Sequence, residues 1–97
     1  MYIVVITYKK PWDEVMRWAQ EHRAYALSHY AEGNYLMSGR KSDKSGGVIL
    51  ANAPDRARLD AILQGDPFWR EKVALYEVIE FLPQMAAEPF KDYIIPI

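Results

Sequence analysis

From Trp12 to Gly33 the chain reads WDEVMRWAQEHRAYALSHYAEG, with apolar residues recurring at helical spacing. With Val15 as origin and about 100° per residue, Trp18, Ala19, Tyr25, Ala26 and Tyr30 share one broad arc. Asp13, Arg17, Gln20, Glu21, Ser28 and Glu32 lie mostly opposite. The pattern predicts one long amphipathic helix, opened by Pro11, whose missing N–H is not needed there, and closed by Gly33. His22 falls inside the apolar arc and His29 near its edge.

The flanking segments read as strands and one further helix. Tyr2 to Tyr8 is almost wholly apolar, as expected of a central strand covered on both faces. Tyr35 to Ser38 predicts a short second strand, with Gly39 as its end or a bulge. Arg40 to Gly47 is a polar, glycine-ended hairpin loop, and Val48 to Ala51 returns as a third strand. Asn52 or Asp55 caps a second helix with Ala57, Leu59, Ala61, Ile62 and Leu63 in its body and Gly65 at its end. Asp66-Pro67 starts a turn, Phe68 to Lys72 adds a helical turn, and Val73 to Leu82 forms the last strand before Pro83. The order β-α-β-β-α-β predicts an α+β fold of the ferredoxin-like split βαβ type, a four-stranded antiparallel sheet with two helices on one face. So apolar a sheet, bare on its other face, is expected to meet a second subunit.

Length and composition set the bounds. Ninety-seven residues, 51% hydrophobic, suffice for one domain with a real core. That domain spans 1–83, and 84–97 is a C-terminal extension. The extension ends in Tyr93-Ile94-Ile95-Pro96-Ile97, apolar enough to be expected docked on a partner subunit or the sheet rim. A net charge of -1 with scattered Lys and Arg argues against a nucleic-acid partner. The third strand also lacks the aromatics and cations of an RNA-binding sheet. With no cysteine, a disulfide scaffold, a thiolate nucleophile and a cysteine zinc site are excluded. Two histidines without an HxxxH-type pair give no expectation of a metal. The amino-terminal apolar run is too short for a signal peptide, and no window is long enough for a membrane span. A soluble cytoplasmic protein is expected.

Candidate chemistry centres on His22. An imidazole aimed at the core is either a general acid or base or a structural residue bonded to a backbone carbonyl. Asp66 is either a turn and cap residue or the carboxylate that orients that imidazole. Both helices lie on one sheet face, so the loop after the second helix can approach the side of the first. Ser38, Gly39 and Arg40 are candidate substrate contacts, through backbone N–H groups at the glycine and a bidentate guanidinium at Arg40. Trp18, Tyr25, Phe68 and Trp69 could wall an apolar cleft, but core and dimer packing is the expectation for most of them, and Phe68 has the best claim to the cleft. His29 is expected to be partly exposed, a C-terminal cation on the helix dipole.

His22 in H-x-x-Y, Gly33, Gly39, Gly46-Gly47 and Asp66-Pro67-Phe68, in this order and spacing, resemble the YciI-like (YCII-related) family over residues 1–82. The resemblance implies a ferredoxin-like dimeric α+β barrel and a homodimer. It also implies a His–Asp pair as active site, here His22 and Asp66, working without a cofactor. A few members are dehydrochlorinases acting on chlorinated hydroxyquinols. One departure is local: members commonly carry proline after the glycine that ends the second strand, where this chain has Arg40. The leading expectation is therefore an enzyme using a His22–Asp66 acid–base pair on a small organic substrate, by elimination or isomerisation. The alternative is a ligand-binding or accessory module of the same fold, in which His22 bonds to backbone rather than to Asp66.

Overall fold

Pro11 precedes the long helix, and Asp13 and Glu14 place negative charge in its first turn, where the helix dipole favours it. This helix, α1, runs Trp12–Ala31. Gly33 stops it by adopting φ +79°, and Asn34 N–H then reaches back to the His29 carbonyl at 2.9 Å. Asp55, rather than Asn52, caps the second long helix, α2 (Arg56–Gln64), by accepting the Arg58 N–H at 2.7 Å. A four-residue helix, α3 (Pro67–Arg70), follows directly, with proline in its first turn.

The computed structural model describes residues 1–95. The strands are β1 (Tyr2–Tyr8), β2 (Tyr35–Arg40), β3 (Gly46–Ala51) and β4 (Ala74–Glu80). They form one sheet in the order β2-β3-β1-β4, antiparallel throughout, as the split βαβ pattern predicts. The hairpin loop is tighter than expected, because β2 continues to Arg40 and β3 starts at Gly46. Gly39 is neither a strand end nor a bulge but pairs regularly with Val48. The irregularity lies between Tyr35 and Met37, where one extra residue, Leu36, sits opposite the Ala51–Leu50 step.

Alternation along the strands sorts the residues onto two faces. Tyr2, Val4, Ile6, Tyr35, Ile49 and Ala51 point to the helices and form the main core with Leu59, Ile62 and Leu63 of α2. Val15, Phe68 and Val73 form a second cluster around α3. The other face carries Ile3, Val5, Met37, Val48, Leu50, Leu75 and Ile79 and has no helix on it. Met37 is 58% and Ile79 54% exposed in the single chain. β1 is central, as predicted, but within one chain only one of its faces is fully covered. Beyond β4 the chain forms a 3-10 helix (Glu88–Tyr93) and folds back, so that Ile95 N–H donates to the Pro83 carbonyl at 2.8 Å. The expected docking segment 93–97 ends in two residues that lie outside the described ones.

Candidate active site

The turn between α2 and α3 fixes Asp66. Its Oδ1 accepts the Phe68 N–H at 2.8 Å, so the carboxylate serves as N-cap of α3, and its side chain is fully buried. On α1, His22 faces the same region, and its Nδ1 lies 2.8 Å from each Asp66 oxygen. A carboxylate can only accept, so the hydrogen-bond network assigns the proton to Nδ1. Nε2 is thereby left with its lone pair. The imidazole lies flat on the Phe68 ring, with centroids 4.0 Å apart and planes 6° off parallel. Phe68 in turn meets Tyr8 edge-on at 5.8 Å.

A cavity of about 470 Å³ opens in front of the imidazole, between α1 and the ends of β2 and β3. Ser38, Gly39, Arg40 and Phe68 all line it together with His22, while Asp66 stands behind the ring. Tyr8, Arg23 and Tyr30 also line it, and none of these was singled out from sequence. Arg23 reads as one more solvated charge on an amphipathic helix. Its only signal was its place directly after His22. The Tyr30 hydroxyl bonds to Ser38 Oγ, tying α1 to β2 across the rim. The Arg40 guanidinium rests over the Trp12 ring, 5.2 Å from its centroid.

Three of the four candidate aromatics serve in ordinary packing, as expected for most of them. Trp18 packs against the Val15–Phe68–Val73 cluster, Trp69 meets Tyr76 edge-on at 5.2 Å, and the Tyr25 hydroxyl donates to the Ile62 carbonyl at 2.6 Å. A Cβ at Gly65 would overlap that hydroxyl, so this glycine gives Tyr25 its room beside the Asp66 turn. His29 sits in the last turn of α1 and is partly exposed, as expected, with Nδ1 3.6 Å from Glu32 Oε2. Its side chain is 12% exposed, packed against Tyr25 and Tyr35, and its Nδ1 accepts from Asn34 Nδ2 at 3.1 Å. A wheel that placed it at the edge of the apolar arc could not register that the Tyr35 ring would reach over it.

Behind the dyad, burial pushes the hydroxyls of Tyr25, Tyr35 and Tyr76 above the usual phenol range, and the Asp66 charge raises each further. The hydroxyls of Tyr35 and Tyr76 are buried and have no hydrogen-bond partner among the described residues. Among the described residues no group of three or more His, Asp or Glu gathers to hold a metal ion. No described helix is long and apolar enough to cross a membrane.

Comparison with known proteins gives the fold an independent footing. A search of curated proteins finds no match. Among solved structures, muconolactone isomerase superposes with a TM-score of 0.75 at 16% identity, covering 90% of this chain and 93% of that one. The 5-chloro-2-hydroxyhydroquinone dehydrochlorinase of Burkholderia phenoliruptrix AC1100, in complex with 2,5-dihydroxybenzoquinone, superposes with a TM-score of 0.68 at 16% identity, covering 86% and 95%. The chain shares with both the dimeric α+β barrel fold. The model of the YCII-related domain matches residues 1–82, and the protein therefore belongs to that family.

Proposed function

We propose that the protein is an enzyme in which His22 acts as general base, and then as general acid, on a small organic substrate bound in the cavity. The observation that carries this reading is an imidazole whose Nδ1–H is held at 2.8 Å by a fully buried carboxylate while its ring lines an open cleft. Nε2 takes a proton from an activated C–H, and Asp66 stabilises the imidazolium that forms. The electron pair left on carbon then either expels a leaving group, which is elimination, or is reprotonated elsewhere by Nε2–H, which is isomerisation. The neighbours in fold point the same way, one being named an isomerase and the other a dehydrochlorinase. A ligand-binding module without turnover would have its histidine bonded to backbone, and the bond to Asp66 weighs against it.

The test is an absorbance screen of halogenated or hydroxylated aromatics and unsaturated lactones, followed by His22→Ala on any compound turned over. The variant is expected to lose roughly 10²–10⁴-fold in kcat. Full turnover by His22→Ala would end the proposal.

The reading includes a homodimer that pairs the uncovered sheet faces, since Ile3, Val48, Leu75 and Ile79 make that face too apolar to stand in water. Light scattering should give twice the chain mass, and Ile79→Arg should shift it towards a single chain. A wild-type protein that ran as one chain at working concentration would refute the pairing.

A further inference from the structure

The lining of the cavity carries a charge pattern that bears on what can bind. Arg23 of α1 and Arg40 of β2 both line it. The ion pairs among the described residues leave both guanidiniums without a carboxylate. Asp66 is not among the lining residues, because it is buried behind the imidazole. The lining therefore carries two guanidiniums and no carboxylate, which suits an anion.

Arg40 is also prepared in shape. It pairs with Gly47 in the β2–β3 register, and both residues line the cavity. Its guanidinium lies over Trp12, 5.2 Å from the ring centroid. No side-chain hydrogen bond or ion pair among the described residues occupies its N–H groups, the donors that grip a carboxylate in a fork. Facing it are flat apolar surfaces, the stacked His22–Phe68 pair and Tyr8. A volume of about 470 Å³ suits a molecule of one ring rather than a polymer.

We propose that the cavity selects a small planar organic acid of single-ring size, and that Arg40 is the specificity-determining residue, pairing with the ligand carboxylate while the ring lies near His22 and Phe68. This rests on the reading of the cavity as the substrate site but not on His22 being catalytic. Arg40 stands at the position where the family resemblance expects proline, so the selection is a property of this chain.

The probes are benzoate and its neutral isostere benzamide, titrated at constant ionic strength into the full chain and followed by nitrogen–proton NMR. Benzoate is expected to shift the signals of His22, Phe68 and Arg40 saturably, and benzamide to bind about tenfold or more weakly. Arg40→Gln should weaken benzoate about tenfold and leave benzamide unchanged, and Arg40→Lys should restore only part of the loss. His22→Ala should still bind benzoate, so a failure of the acid–base mechanism would leave this result standing. Equal binding of acid and amide, or unchanged benzoate binding in Arg40→Gln, would overturn the selection by Arg40 and leave the cavity reading intact. If neither compound perturbs His22 or Phe68, both fall.

Discussion

Asp66→Asn is expected to abolish turnover while leaving the fold in place. The amide matches the carboxylate in shape, and its oxygen can still accept the Phe68 N–H that begins α3. Its nitrogen, however, then faces His22 Nδ1 as a donor. The amide oxygen stays 2.8 Å from Nδ1 as well, but wherever the amide N–H takes the contact, Nδ1 accepts, the ring proton moves to Nε2, and the lone pair that pointed into the cavity is lost. A fall of roughly 10²–10⁴ in kcat follows from losing the base alone. The tautomer can be read without any substrate, since the two ring nitrogens exchange their chemical-shift signatures in nitrogen NMR. Thermal unfolding should show a loss of about 1–3 kcal/mol, the worth of one charge-assisted bond. An Asn variant that kept both the Nδ1–H tautomer and full turnover would sink the assignment of Asp66.

The second large effect is on stability at high pH. Tyr35 and Tyr76 are held above the unfolded value of 10.0 first by burial and then by the Asp66 charge. In the unfolded chain each releases its proton near that value, while the folded chain retains it. Above it the folded state binds more protons than the unfolded one, so stability falls as pH rises; below it the two states bind alike and the contribution is constant. The pair should cost about 3 kcal/mol per pH unit beyond that point. Denaturant melts on either side of it would measure the slope. Tyr76→Phe should take about 1.4 kcal/mol per pH unit off the slope. It should also stabilise the neutral protein by about 1 kcal/mol, because the deleted hydroxyl is buried and unpartnered. An unchanged slope in that variant would disprove the account.

The strand order and the placing of His22 were legible because each rests on local chemistry. An apolar arc with one imidazole in it, a glycine stop and an Asp-Pro-Phe turn all read directly from neighbouring residues. Arg23, Tyr8 and Tyr30 were not legible, because whether a side chain borders a cavity depends on how far two elements stand apart, and periodicity carries no such distance. The same limit explains Trp18 and Trp69. Sequence leaves both between cleft wall and ordinary packing, and the fold sets Trp69 edge-on to Tyr76 and Trp18 in the Val15 cluster. Glycine is the usual marker of a strand end or a bulge, which is what Gly39 suggests by sequence, but the irregularity falls on Leu36.

The strand order β2-β3-β1-β4 has a consequence for how this protein can change. His22, Asp66 and Phe68 come from the helical layer, where they are locked together by stacking, capping and burial. Ser38, Gly39 and Arg40 come from β2, an edge strand with a neighbour on one side only. Their side-chain contacts run to Tyr30 and Trp12 rather than to His22 or Asp66, and a Cβ at Gly39 would meet nothing within 4 Å. On the reading proposed above, substrate range and proton transfer are mechanically separable: the ligands the cavity accepts can drift along three residues of one edge without touching the His22–Asp66 pair.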